Sequence, residues 1–589
     1  MPNIKNLHIM EQIYHSKTNC KVSIRSFITK SQLCNTALCR RFNVSESRFI
    51  RCKNIDAIHD KSIWVTLDEV REIGERLNYD SSHSNQIRIQ LLKAASVSAL
   101  VCFNFLFNAD AQNKTAGLSA NSKPNVIYIF ADDLGYGELG CYGQKKIQTP
   151  NIDRLASEGI RFTQHYVGTP VSAASRCNLL TGLHSGHAYI RDNFGLPGYI
   201  DNKNELGQFP IPANTSTIAN LFKEAGYTTA AIGKWGLGNY DNEGDPLKHG
   251  FDFYYGYYDQ RHAHNYYTTH LWKDGIWDKL NNPEMNIHPI LRKEDVKPED
   301  IKKYIGNEYS VDKMTANAVD FIQQNEKKPF FLYLAYTLPH TALQVPNEEM
   351  EYYKELLKEK PHLWLGGYVP SYFPFSTYAA MITYLDKQVK IIEDLLKKLG
   401  LDQNTIVMFC SDNGPINENG DSESFDFFHS TGYLRGMKQE LYEGGIREPF
   451  IVKWPGKIAS GQVTNFISAT YDMMETFADL LHVQAPQNDG LSILPTLLGD
   501  NTHQKQRDYL YWEYPARRGQ VAIRMGNWKG VKTGIVKNPE TPWQIYNLTN
   551  DPKESINLAD QHPELVKKFD EIAHKEHITP VRPEWDIFK

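Results

Sequence analysis

A hydroxyl and a guanidinium four residues apart could act together on an anionic ester, and Ser172 and Arg176 have that spacing in Ser172-Ala173-Ala174-Ser175-Arg176-Cys177-Asn178-Leu179-Leu180-Thr181-Gly182. Pro170 precedes the run and Gly182 closes it, which places Ser172 at the start of a short helix. The first backbone N–H groups of a helix lack intrahelical partners and attract anions. Residues four apart on a helix share a face, so the cation would stand beside the hydroxyl. A serine that merely caps a helix has the same local signature.

Two further segments carry oxygen ligands. Val126-Ile127-Tyr128-Ile129-Phe130-Ala131 is a continuous apolar run, as expected of a strand buried on both faces of a parallel sheet, and it ends in Asp132-Asp133. Thr405-Ile406-Val407-Met408-Phe409-Cys410 repeats the pattern and ends in Ser411-Asp412-Asn413-Gly414. Ligands of open α/β sheets bind beyond the carboxyl ends of the strands. Oxygen-only ligands select a hard divalent cation, Ca2+ or Mg2+, over zinc. A polar turn after each strand is the simpler alternative for either pair alone.

With these blocks in order, the chain resembles the formylglycine-dependent sulfatases, the arylsulfatase-like branch of the alkaline phosphatase superfamily. Ser172 matches the residue that the family oxidises to formylglycine, with Ala174 where proline is commoner. The resemblance implies a serine-type sulfatase that an anaerobic-type sulfatase-maturating enzyme must modify before folding. It places calcium (Ca2+), with Mg2+ as the alternative, on Asp132, Asp133, Asp412 and Asn413. It also makes Lys234, in Gly233-Lys234-Trp235-Gly236-Leu237-Gly238, a sulfate-binding lysine. His340, in Pro339-His340-Thr341, becomes the histidine beside the leaving oxygen, and Lys438, in the block from Gly436 to Pro449, a second sulfate-facing lysine.

The implied reaction is attack of hydrated formylglycine on sulfur. His340 and Lys438 assist the departing alcohol, Arg176, Lys234 and the cation hold the developing charge, and a base then collapses the hemiacetal sulfate. The chain departs from the family pattern at Gly236, where a histidine that helps release sulfate usually stands. His264, in Tyr258-Asp259-Gln260-Arg261-His262-Ala263-His264-Asn265-Tyr266-Tyr267, is the candidate replacement. If that segment is extended, alternation puts His262 and His264 on one side. Alternatively, the aromatics from Phe251 to Trp272 form a carbohydrate-facing wall, with the histidines on sugar hydroxyls. Two rival functions stay open: a phosphoester hydrolase of the same superfamily with unmodified Ser172, and a non-catalytic glycan-binding relative.

These groups need elements to position them. Helical stretches at Thr149–Leu155, Leu221–Ala225, Val311–Gln324 and Tyr378–Leu399 alternate with strands at Thr228–Ile232 and Pro329–Tyr336. The expected fold is α/β: a large mixed, mostly parallel sheet flanked by helices, alkaline phosphatase-like, over residues 124–500. Short strands at Tyr509–Tyr514, Gln520–Met525 and Trp528–Lys532 and a helix from Pro563 to His574 predict a smaller C-terminal antiparallel α+β subdomain over 505–589. Glu443 and Arg447 are expected to hold their glycine-rich loop, and His184 and His187 to be structural.

The chain of 589 residues is long enough for more than one domain. Its 64 Lys and Arg against 69 Asp and Glu exclude a dedicated nucleic-acid binder. Residues 87–111 have the order of a secretory signal: basic residues, an apolar run from Ala94 to Phe107, then Ala109-Asp110-Ala111. That run is too short for a transmembrane anchor, so an exported protein, periplasmic or secreted, is expected. Residues 1–86 are read as a doubtful N-terminal extension, from a start codon assigned too far upstream, with Thr66–Leu77 weakly helical. Only Cys141, Cys177 and Cys410 come after the signal, too few for a disulfide framework. An exported chain with 33 Tyr and 10 Trp suggests a sulfated carbohydrate substrate, because aromatic faces stack on sugars, although filling a large core is the commoner role for most such residues.

Overall fold

Alternation along the apolar runs decides how the sheet is buried. In the strand Asn125–Asp132 (β1), Val126, Tyr128 and Phe130 enter one hydrophobic core, while Ile127, Ile129 and Ala131 enter another. The same division recurs in Phe330–Pro339, where Phe331, Tyr333 and Ala335 face the first core and Phe330, Leu332 and Leu334 the second. A strand with both faces covered must be apolar at every position. That is why these runs lack the polar alternation of a one-sided sheet.

The structure is a computed structural model that describes residues 22–23, 64–65, 123–196, 205, 207–416 and 422–589. Residues 87–111, read from the sequence as a signal, and the stretch Thr66–Leu77 lie outside the described residues. The chain divides into two units, Met1–Ser122 and Lys123–Lys589. In the first, Val22–Ser23 pairs antiparallel with Trp64–Val65. Among the described residues no helix is long and apolar enough to cross a membrane.

The second unit is built on an eleven-stranded sheet. Its strands are β1, Ile160–Tyr166 (β2), Thr228–Lys234 (β3), Phe253–Tyr257 (β4), His270–Lys273 (β5), Ile276–Lys279 (β6), Phe330–Pro339 (β7), Thr405–Ser411 (β8), Arg447–Lys453 (β9) and Gln462–Thr464 (β10), with Ser468–Ala469 beside β2. The order is β10-β2-β9-β8-β1-β7-β3-β4-β5-β6. The central block β8-β1-β7-β3-β4 is parallel throughout. Antiparallel pairs flank it, β8 with β9 and β9 with β2 on one side, and β4 with β5 and β5 with β6 on the other. Leu510–Tyr514, Gln520–Met525, Trp528–Thr533 and Gln544–Asn547 form a separate four-stranded antiparallel sheet. The mixed α/β sheet and the small C-terminal antiparallel sheet are those expected from the sequence.

Parallel strands end at one edge, and the register makes this literal: Ser411 pairs with Ala131, Gly233 with Ala335, and Asp132 with Pro339. The segments after β1, β3, β7 and β8 therefore meet. Strand β2, antiparallel to β9, runs the same way as β8, so the helix Ser172–Thr181 that comes after it begins at that edge too.

Candidate active site

All ten residues of the Ser172–Thr181 helix are buried. It ends where Gly182 adopts φ 73, a left-handed cap that glycine tolerates without steric cost. Ser172 Oγ donates to Asp132 Oδ1 at 2.8 Å and to Asn413 Oδ1 at 3.3 Å. One turn on, Arg176 reaches Asp412 Oδ2 at 2.8 Å and Asp132 Oδ2 at 3.7 Å, so both side chains share the face that the spacing predicts.

The turn after β1 uses Asp133 in a left-handed conformation, φ 64, which aspartate tolerates better than most residues. Its N–H donates to Asp412 Oδ1 at 3.1 Å, and its carboxylate accepts from Asn413 Nδ2 at 2.7 Å. Because the Asn413 amide nitrogen faces Asp133, its oxygen is left toward Ser172. Lys234, the last residue of β3, places Nζ 2.6 Å from Asp132 Oδ2. Lys438 places Nζ 2.8 Å from Asp133 Oδ2 and 3.1 Å from His340 Nε2, itself 3.5 Å from the same Asp133 oxygen.

Three buried carboxylates, Asp132, Asp133 and Asp412, thus meet three buried cations, Arg176, Lys234 and Lys438. Burial opposes ionisation of Asp132, yet Lys234, His340, Arg176 and Lys438 hold its carboxyl well below the usual range. Burial and the charge of Asp132 push Asp412 upward, with Arg176 opposing. Burial lowers Lys234 against the pull of Asp132. Carboxylate and amide oxygens on neighbouring strand ends form a donor set that suits a hard divalent cation. Ligand atoms of Asp132, Asp133 and His340 lie within 4.8 Å of one another.

The two histidines proposed to lie on one side of an extended segment do not. His262–His264 is a turn of 3-10 helix, so the alternation that holds for a strand is lost. His262 turns to Glu205, 2.8 Å from Nδ1, and to Thr268, 2.6 Å from Nε2. His264 instead stacks on His340, with centroids 4.7 Å apart and planes 12° apart. Burial, then the charges of His340 and Lys234, hold the His264 imidazole well below its ordinary value. Burial and Lys438 push His340 down to about 4, against Asp133, so its ring is neutral here at neutral pH.

The aromatic wall suggested between Phe251 and Trp272 is also not what forms. Tyr254, Tyr255, Tyr257, Tyr258 and Tyr266 are all buried in the two cores, where they fill volume. Gly236 has φ 79, and a Cβ there would come within 1.9 Å of Gln260 Nε2. The side chain missing at position 236 is thus replaced in space by the Gln260 amide. His184 and His187 lie against Asp489 and Glu576, at 2.9 Å for His187 to Asp489 and 3.1 Å for His184 to Glu576. Glu443, opening a single helical turn, and Arg447, the first residue of β9, pair at 3.3 Å.

One residue beside the site was not found from the sequence. His288 lies 3.0 Å from His264, in a loop with no motif to mark it.

A helix-terminal hydroxyl held among fixed cations at a strand edge defines a hydrolase for anionic esters. The sulfatase family model matches residues 124–483, and the model for the C-terminal part of N-sulphoglucosamine sulphohydrolase matches residues 436–577. The chain is 31% identical over 512 residues to an N-acetylgalactosamine-6-O-sulfatase of Bacteroides thetaiotaomicron, covering 77% of this chain and 93% of that protein. It is 32% identical over 488 residues to arylsulfatase A of Bos taurus, covering 77% and 86%. Among solved structures, Ps i-CgsB in complex with k-i-k-neocarrahexaose is similar at TM-score 0.61 and 28% identity, covering 80% of this chain and 94% of that one. The chain belongs to the sulfatase family, enzymes that hydrolyse sulfate esters.

Proposed function

We propose that this sulfatase is exported and removes sulfate from a sulfated glycan, using position 172 after conversion of Ser172 to formylglycine by an anaerobic-type maturating enzyme. The observation that carries the reading is the meeting of Ser172 with Arg176, Lys234, Lys438 and His340 around one pair of strand-end carboxylates. Relatives named for sugar sulfates, and a similar structure described in complex with k-i-k-neocarrahexaose, support a glycan substrate. The order of residues 87–111 supports export.

Hydrated formylglycine supplies an oxygen nucleophile that an unmodified serine cannot match. Arg176 and Lys234 bind the sulfate oxygens and hold the charge that develops as the ester bond breaks. A calcium ion held by Asp132, Asp133, Asp412 and Asn413 would polarise the same oxygens. His340, with Lys438 against its Nε2, gives the departing alcohol its proton once substrate charge draws a proton onto the ring. His264 stands in for the histidine absent at Gly236 and takes the proton whose removal frees sulfate from the enzyme.

The test is peptide mass spectrometry across Ser172, on protein made with and without the maturating enzyme, beside sulfate release from sulfated sugars. Loss of two hydrogens, with release proportional to the modified fraction, is the expected result. Full activity with unmodified Ser172 would sink the mechanism and favour a phosphoester hydrolase. Tight glycan binding without turnover by modified protein would favour a binding protein.

A further inference from the structure

His264 can act as a base only through a ring nitrogen that carries no proton, and its neighbours decide which one that is. His288 Nδ1 lies 3.0 Å from the carbonyl oxygen of Gly367. A carbonyl only accepts, so this nitrogen of His288 must carry the proton. In the neutral imidazole the other nitrogen, Nε2, is then bare, and it lies 3.0 Å from His264 Nδ1. His264 must therefore donate from Nδ1, which leaves Nε2 as its one nitrogen able to accept a proton. A charged His288 would reverse this order, but burial disfavours its charged form, opposed by the bond to Gly367.

The rings are also fixed mechanically. Tyr368, the residue after Gly367, packs edge-on against His264 at 5.2 Å and tilted against His288 at 4.8 Å. His340 covers His264 from a stacked position. Neither imidazole can turn over without displacing these neighbours.

We propose that His288 is a positioning residue: with the Gly367 carbonyl behind it, it holds His264 in the Nδ1–H tautomer and so keeps Nε2 as the proton acceptor for sulfate release. The proposal rests on the reading of His264 as that base. In the step it serves, Nε2 takes the proton from the hydroxyl that remains on residue 172. The O–H electron pair becomes a carbonyl bond, the carbon–oxygen bond to sulfate breaks, and its pair leaves on sulfate. The imidazolium keeps its Nδ1–H bond to His288 and returns the new proton to water.

Matured enzyme carrying His288→Phe, His288→Gln or His264→Ala tests this with 4-nitrocatechol sulfate as probe. His288→Phe removes the acceptor. His288→Gln restores one, since its side-chain oxygen can accept from Nδ1–H. The expected result for His288→Phe is a fall in kcat of about tenfold to a hundredfold, with KM falling in step, so that kcat/KM hardly changes. Acid-quenched His288→Phe enzyme should retain sulfate on the Ser172 peptide, seen by mass, and His288→Gln should recover most of kcat. A structural role alone would lower kcat/KM without retained sulfate, and that result overturns the proposal. Loss of kcat in His264→Ala beside an unaffected His288→Phe overturns the relay alone. Unchanged kcat in His264→Ala overturns the base assignment and the relay with it.

Discussion

Arg176 and Asp412 are 236 residues apart in sequence, yet NH2 of one lies 2.8 Å from Oδ2 of the other, with both side chains fully buried. The second guanidinium nitrogen donates to the Lys234 carbonyl at 2.7 Å. One side chain thereby ties the helix of Ser172 to the ends of β3 and β8. Lysine has the charge but not the fork. Arg176→Lys should lower kcat/KM by about 10²–10³, the scale for losing an oriented charge-stabilising donor. Arg176→Ala should in addition lower unfolding free energy by about 3–5 kcal/mol, because it leaves a buried carboxylate unpaired. Kinetics and denaturant midpoints of the two variants separate these effects.

Ser172→Ala should abolish turnover whether or not the maturating enzyme is present. Only about 1 kcal/mol of stability should be lost, since one buried hydrogen bond to Asp132 disappears. A variant that unfolds, or one that still releases sulfate, would contradict the role given to this hydroxyl.

Chelation should inactivate the enzyme and destabilise it together, because the hard cation proposed to sit among Asp132, Asp133 and Asp412 binds only the folded state that brings them together. Calcium at a hundredfold over its Kd should restore about 2.7 kcal/mol of unfolding free energy. Calorimetric titration of chelated protein checks this, and Asp133→Ala should remove the heat of binding. Activity indifferent to exhaustive chelation would refute a metal at these residues.

Gly233 precedes Lys234 with φ 116, and a Cβ there would meet the Ala335 carbonyl oxygen at 1.9 Å. Backbone cannot swing aside as a side chain can. Gly233→Ala should cost about 2–4 kcal/mol and displace Lys234, so that KM rises beyond what the stability loss explains. Thermal unfolding and steady-state kinetics on one preparation measure both.

Acid should weaken the contact between the C-terminal sheet and the loop after Lys438. Glu443 lies 2.9 Å from Lys529 and 3.3 Å from Arg447. Burial raises its pKa, but Lys529, Arg524 and Arg447 outweigh this and hold the carboxyl down at about 2. A folded pKa below the ordinary 4.5 means stabilisation that is complete above 4.5 and lost as pH falls toward 2. Denaturant midpoints should therefore drop through that window, and Glu443→Gln should flatten the drop.

The sequence by itself determined the four strands β1, β3, β7 and β8 whose ends meet at the sheet edge, and the helix of Ser172. Runs such as Val126–Ala131 are apolar at every position because both faces are covered, and parallel strands deliver the residues at their carboxyl ends to one side whatever their order. The spacing of Ser172 and Arg176 carried over for a similarly local reason, the pitch of a helix. Only the tertiary structure decided the rest. Whether His262 and His264 diverge depends on a single turn of 3-10 helix, which two histidines around an alanine do not specify. That Tyr254 and Tyr258 fill a core and do not line a groove depends on what packs over them. His288 reaches His264 across a loop, and Gln260 fills the space beside Gly236. Neither contact leaves a periodicity or spacing in the chain, because long-range packing alone brings these residues together.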